Sequence, residues 1–426
     1  GWKQMLYLTV TGRNDWASQL ANSPESSFFY PSVGLSWVPS STWDLGKTFS
    51  YLKIRGSIAS VGLPFPRFLT TPTYEYDATG KIWKDKTHYP IGDLKPERTI
   101  TYEVGIDARL WKNISLSASW YSADTKNQTF DPALPPSSSY TTIYLQTGHV
   151  RNTGVELSLG YSNQWRDFGW SSNFTFSWNK NEIIDLASGA LNPVTGQPLN
   201  LSELDIKGLG KAKYILKQGG TLGDLYTTSD LKFNDNGYVE VDKNGNLLMT
   251  DEGEDIYLGS VFPNHNLAWR NDFSYKGINL GVLFTARLGG VCYSATQANL
   301  DLYGVSEASA AARDAGGVLI NGREMVDAQK WYQAIGSQSG LPQYYLYSAT
   351  NVRLQELSLG YTFPRKWFRN KLGLTVSFVG RNLWMIYCKA PFDPEAVAST
   401  GLNYQGIDYF MMPSMRNLGF NVKFQF

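Results

Sequence analysis

Hydrophobic residues recur at every second position through much of this chain. The ending, MRNLGFNVKFQF, sets Leu418, Phe420, Val422, Phe424 and Phe426 against Asn417, Gly419, Asn421, Lys423 and Gln425. Successive side chains of a strand point to opposite faces, so this segment has one apolar and one polar side. KLGLTVSFVG repeats the pattern with Leu372, Leu374, Val376 and Phe378, and GINLGVLFTAR with Ile278, Leu280, Val282 and Phe284. NLAWRNDFSYK offers Leu267, Trp269, Phe273 and Tyr275; FGWSSNFTFSW offers Phe174, Phe176 and Trp178. GVELSLGY, NISLSASWYS and TYEVGIDARL alternate likewise, and KQMLYLTV, FFYPSVGLSWV, YLKIRGSIAS and VRLQELSLGYTF do so more weakly. The pattern predicts about twelve strands of roughly ten residues, a length that crosses a bilayer at a tilt.

The connections sharpen this reading. From the fourth predicted strand onward they alternate between about 2 to 8 residues and about 25 to 86 residues, with a further long stretch near 61–97. Trp111-Lys112-Asn113 and Lys276-Gly277 are among the short turns. An antiparallel up-and-down β-barrel of the outer membrane has such short periplasmic turns and long extracellular loops, and Phe426 falls on the short-turn side. A half-buried soluble sheet also alternates, but a dozen alternating segments with sorted connections favour the barrel. The apolar side then meets outer-membrane lipid and the polar side a wet lumen, and lipid leaves no strand edge unpaired.

Composition narrows the function. Among 426 residues, 38 Lys plus Arg balance 37 Asp plus Glu, so no nucleic-acid-binding field arises. No apolar run is long enough for a membrane helix, which says nothing against a strand-built membrane protein. Cys292 and Cys388 allow at most one bridge, and the spacing of their predicted strands, about 10 Å, disfavours it. The chain opens mid-pattern without a signal peptide, as a mature piece or a fragment of something longer does.

Catalytic signals are nearly absent, and no enzyme is expected. His88, His149 and His265 lack metal-ligand spacing and are read as loop residues. GSQSG (336–340) carries Gln338 where a nucleophile elbow needs serine, and LGKAKY lacks the GK[ST] ending of a phosphate loop. In DNGYVEVDKNGNLLMTDEGED, Asp242, Asn244 and Asn246, with Asp235, Asp251 and Glu252, supply oxygens around Gly245. A calcium loop needs such donors, but Leu247 stands where the EF-hand spacing asks for glycine, so a polar hairpin is expected and no cofactor. Trp83, Tyr303, Trp331, Tyr344, Tyr345, Tyr404 and Tyr409 lie in the long loops, where rings can stack on sugars or hold peptides, or simply pack the loops. Arg270, Asp272, Arg287 and Lys423 fall on the polar side as lumen or plug contacts.

An ordered set of segments carries a resemblance: YLTVTGRNDWASQL (7–20), FFYPSVGLSWV (28–38), YLKIRGSIASVG (51–62), LKPERTITYEVGID (94–107) and VRNTGVELSLG (150–160). It continues through IYLGSVFPNHNLAWRNDFSYKGINLGVLFTARLGG (256–290), NVRLQELSLGYTFP (351–364), VGRNLWMI (379–386) and DPEA (393–396). The chain resembles the SusC/RagA-like TonB-dependent transporters of the Gram-negative outer membrane, over nearly its whole length. The resemblance implies a 22-stranded barrel of which residues 1–426 would supply about the last twelve strands. Plug, TonB-contacting segment and earlier strands would come from outside this stretch. It further implies TonB-energised import of oligosaccharides or oligopeptides with a SusD-like surface lipoprotein as lid. The alternatives are a self-contained outer-membrane porin or outer-membrane enzyme of about twelve strands and a secreted, soluble carbohydrate-binding protein. The first would close alone; the second would need polar outward faces.

Overall fold

A computed structural model describes the chain except residues 71–73, 86–87, 90–93, 132–139, 141, 187–200, 251–252, 400 and 402–403. The alternating segments form one antiparallel sheet of twelve strands, each paired with its neighbour in sequence. The strands are β1 Leu6–Trp16, β2 Ser27–Trp37, β3 Phe49–Leu63, β4 Glu97–Leu110, β5 Ile114–Phe130 and β6 Leu145–Trp165. They continue as β7 Phe168–Asp185, β8 His265–Tyr275, β9 Ile278–Leu288, β10 Asn351–Phe363, β11 Gly373–Cys388 and β12 Asn417–Gln425. Connections 111–113, 166–167 and 276–277 are tight turns, whereas 64–96, 186–264, 289–350 and 389–416 are among the long ones at the opposite end. His149 and His265 lie within β6 and β8, which corrects their reading as loop residues: the strands run further outward than the alternation alone suggested.

Register places apolar residues beside apolar residues across the sheet. Val33 faces Ile58, Ile54 faces Ile106, Val104 faces Trp120, and Leu157 sits between Ala118 and Phe176. The row goes on through Phe174–Trp269, Trp269–Phe284, Leu280–Leu359, Leu359–Phe378 and Phe378–Phe420. Many of these side chains are exposed, Phe420 at 82%. So wide an apolar belt is the outward surface of a membrane barrel. Polar atoms in the belt find partners inside it: Trp170 Nε1 donates to Asn271 Oδ1 at 3.2 Å, and Trp269 Nε1 donates to Ser172 Oγ at 3.0 Å. Beside the tight turns, Trp165 stacks on Phe168 and Trp170 on Phe273, forming the aromatic girdle expected at a membrane interface.

The turn between β8 and β9 illustrates how the short connections are specified. Lys276 and Gly277 both have positive φ, 47° and 91°, the geometry of a two-residue hairpin loop that follows strand twist. A Cβ on Gly277 would stand 2.8 Å from the Thr362 carbonyl oxygen. Gly277→Ala is therefore expected to lower stability by about 1–2 kcal/mol. A urea titration in detergent should show this as an earlier midpoint, and an unchanged midpoint would mean that the glycine is not required by the turn.

The sheet has two open edges. Among the described residues β1 pairs only with β2, and β12 only with β11, and every residue of β12 is exposed. The main hydrophobic core lies outside the sheet, at its long-loop end. Phe130, Val150 and Ile183, on the outer parts of β5, β6 and β7, join Ile206, Tyr214, Leu216, Leu225, Tyr293, Leu341 and Ile407 from the loops. This explains why β5 to β7 are 17, 21 and 18 residues long: their outer ends leave the membrane and anchor the loop core.

Candidate functional site: the lumen wall and its loop cap

The polar face of the sheet carries a groove of about 350 Å³, which runs over β3 to β8, lined by Arg55, Ser117, Glu156, Ser158, Ser177 and Asn266 among others. Its charges are paired along the wall. Arg55 reaches Glu103 at 3.0 Å and Asp107 at 3.5 Å, and Ser117 Oγ donates to Asp107 at 2.7 Å. Arg270 lies 2.8 Å from Asp272 and 3.2 Å from Glu356, whose other oxygen accepts from Arg381 Nε at 2.9 Å. Arg270 and Asp272, both expected on this face from sequence, thus stand on the wall and hold each other. Lys423 lies opposite Thr375, on the same polar face of the exposed edge strand.

Arg287 occupies a different place, near the outer end of β9. It lines a cavity of about 180 Å³ where the bases of three long loops converge, with Phe262, Val291, Glu395, Val397 and Gln405. Glu395 Oε2 is 3.9 Å from Arg287, and Glu395 Oε1 is 3.1 Å from Arg353. Arg353, 4% exposed, is the centre of this region. Its guanidinium takes Asp393 in a two-bond fork at 2.9 and 3.2 Å and donates twice to Asn351 Oδ1, both at 3.1 Å. Ser414 Oγ also donates to Asp393 and itself accepts from Asn382 Nδ2 at 2.9 Å. NVR, GRN and DPEA, three of the segments behind the resemblance, are therefore one buried clip joining β10, β11 and the last loop. Burial pushes the Asp393 carboxyl up, but Arg353, Ser414 and the Glu395 amide outweigh it and hold it below the usual carboxylate range.

The described parts of the long loops are folded. Helices Ala295–Leu302, Glu307–Asp314 and Ala328–Ile335 are each started by a side-chain cap, from Ser294, Ser306 and Asp327. Residues 291–294 pair with 346–348 on one side and with 407–408 on the other, which draws the last loop into the cap. Ser294 Oγ donates to Asp408 at 2.7 Å inside this seam. Cys292 and Cys388 are both free thiols; burial pushes that of Cys292 up to about 12, so it stays protonated.

The loop aromatics are spread across the cap. Trp83, 67% exposed, lies on a hairpin beside Tyr76, whereas Trp331 packs edge-on to Tyr344 against the loop core. Tyr404 is exposed, and Tyr409 lies against Phe410. Tyr345 is buried. Tyr303 projects from the end of its helix, 75% exposed.

The polar stretch around Gly245 is a ladder of tight turns, bridged at Leu231–Met249, Phe233–Val239 and Val241–Leu247. Asp242 accepts from the Asn244 and Asn246 amides and from Asn246 Nδ2, each at 2.8 Å. Those bonds hold its carboxyl below the usual range. Asp251 and Glu252 lie outside the described residues. Among the described residues no three His, Cys, Asp or Glu side chains converge on a metal-sized point.

An outward-apolar, inward-polar antiparallel sheet with a folded outer cap defines the wall of an outer-membrane type of β-barrel. Residues 2–282 match the model of the TonB dependent receptor-like β-barrel, and the chain belongs to that family. It is similar to TonB-dependent receptor P3 of Formosa agariphila, 25% identical over 98% of this chain and 44% of the relative. It is also similar to TonB-dependent receptor SusC of Bacteroides thetaiotaomicron, 21% identical over 87% of this chain and 35% of SusC. The structure of the RagAB peptide transporter superposes with a TM-score of 0.71 at 20% identity, covering 100% of this chain and 46% of that one. The fold is thus of SusC/RagA type, and the chain spans less than half the length of the relatives it matches. The family consists of receptors and transporters rather than enzymes.

Proposed function

We propose that this chain forms the C-terminal barrel portion of a TonB-energised importer in the outer membrane of a Gram-negative bacterium, with oligosaccharide or oligopeptide cargo. The observation that carries the reading is the twelve-stranded sheet itself: an apolar belt outside, a polar wall inside, a folded cap above, and two edges that lipid cannot satisfy. Further strands and a plug from the rest of a longer polypeptide, about ten strands for a 22-stranded barrel, would close it. The relatives' greater length supports this.

A SusD-like lipoprotein is the proposed lid, seated on the cap, and TonB acts through the part of the polypeptide that holds the plug. No covalent chemistry and no cofactor are required, because selection rests on cavity shape, hydrogen bonds and ring stacking. Arg270, Asp272, Arg287 and Lys423 serve as lumen or plug contacts. Trp83, Tyr303, Trp331, Tyr344, Tyr404 and Tyr409 are the cap aromatics from which cargo contacts are drawn.

Intact-mass analysis of the complex extracted from native outer membranes, with uptake measured with and without TonB, tests the reading. The expected result is this sequence within a larger polypeptide, a co-purifying lipoprotein, and uptake that fails without TonB. A folded 47.7 kDa species on its own, with TonB-independent diffusion, would make it a porin instead.

A further inference from the structure

The short-turn end of the sheet carries a charge that the rest of the chain lacks. Its segments are 1–5, 38–48, 111–113, 166–167, 276–277 and 364–372, and together they hold nine Lys or Arg but only two acidic residues, Asp44 and Asp167. The whole chain has a formal net charge of only +1, so everything outside this rim is net acidic. All nine cations are exposed. Among the described residues only Lys276 of the nine has an acidic partner, Asp167 at 4.0 Å. Like charges gathered on one rim repel each other, so the fold itself gains nothing from them.

Backbone geometry points to the same residues. Lys3, Lys112, Arg166, Lys276 and Arg369 all have φ between 47° and 65°, the left-handed region that glycine and asparagine enter at less cost. Turn formation alone does not ask for a long cation at any of them.

The cations sit one step beyond the outward aromatic girdle. Lys276 Nζ lies 5.3 Å from the centre of the Tyr275 ring, and Lys3 Nζ lies 4.9 Å from that of Trp2. Trp367 is exposed and packs 5.8 Å from Phe363, which shares the outward face of β10 with Leu359. Arg365, Lys366, Arg369 and Lys371 flank Trp367 in sequence. Rings at the edge of the hydrocarbon, with cations immediately outside them, follow the layers of a lipid leaflet from acyl chain to phosphate. A soluble anion would give no reason for the rings to stand beside the charges.

We infer that the short-turn rim is a binding surface for anionic phospholipid headgroups of the periplasmic leaflet, with residues 364–372 as its densest part. Headgroup phosphates supply the counter-charge that the chain omits. The inference rests on the barrel and its two faces, not on the cargo.

The test uses the full-length protein purified from outer membranes and placed in phosphatidylcholine vesicles. Brominated phosphatidylglycerol or brominated phosphatidylcholine is added as a quencher of tryptophan fluorescence, and the difference between wild type and Trp367→Phe isolates the ring in the densest turn. Phosphatidylglycerol is expected to be preferred about thirtyfold at low salt, the scale of two cations meeting one phosphate, and the preference should fall as salt is raised. The triple variant Arg365→Gln, Lys366→Gln, Lys371→Gln should lose most of it. Arg369→Asn removes one charge from a position that asparagine occupies more easily, so it keeps the test standing even if the triple variant fails to fold. It should lower the preference about fivefold, one cation's share. Equal quenching by the two lipids in wild type overturns the inference, and so does a preference that Arg369→Asn leaves unchanged. Soluble peptidoglycan fragments that bind wild type, displace the lipid and fail to bind Arg369→Asn would make the rim a cell-wall contact and overturn it as well.

Discussion

Arg353→Met is expected to destabilise the outer ends of β10 and β11 by about 3–5 kcal/mol, the range for removing one partner of a buried ion pair. The reason is what stays behind: Asp393, 6% exposed at its side chain, loses its two-bond fork, and Asn351 Oδ1 loses two donors. Asp393→Asn should also cost stability, by leaving the guanidinium buried beside a neutral amide. The pair gives a pH signature with a definite sign. Asp393 is held below its unfolded value, so its contribution is complete above the ordinary carboxylate range and is lost as pH falls through the lower folded value. The clip should therefore survive mild acid and open only in strong acid. Urea unfolding in detergent, followed by tryptophan fluorescence from neutral to strongly acid pH, measures both effects. A flat difference between wild type and Asp393→Asn across that range would disprove the clip.

A charge placed on the belt should be nearly as damaging. Leu359 lies between Leu280 and Phe378 and is 55% exposed on the outward face. Leu359→Arg is expected to cost about 2–4 kcal/mol if the residue sits near the bilayer midplane, because the guanidinium must be buried in hydrocarbon or thin the bilayer. Ser177→Arg, on the groove side, should change stability by less than about 1 kcal/mol, since that side chain meets water and other polar groups. Reversible folding into lipid vesicles under urea, with both variants in parallel, separates the faces. Equal costs would mean that the assignment of lipid and lumen is wrong.

Why the sheet was legible and the cap was not follows from how each is held. A strand that divides two solvents must alternate along its whole length, so Leu418 to Phe426 announce their face without any neighbour. The tight turns were legible for a related reason, since Lys276-Gly277 permits little else. The cap is built from distant segments that alternate weakly or not at all. Tyr214 meets Gln405 through its hydroxyl, and Tyr293 pairs with Ile407, contacts that no local pattern encodes. Its helices did leave a signal in the capping residues Ser294, Ser306 and Asp327, each followed by good helix formers. The motifs GRN and DPEA were visible as words, yet their meaning required Arg353, which reads in sequence as one more polar position of β10.

The core of the cap constrains how its loops can be exchanged. Residues from β5, β6 and β7 share a single apolar core with segments of the loops 186–264, 289–350 and 389–416. A loop transplanted alone from another receptor would leave half of that core without its counterpart. Exchange of loops, by recombination or by design, should therefore succeed only when they travel together with the outer strand ends. The inheritable unit is the whole canopy.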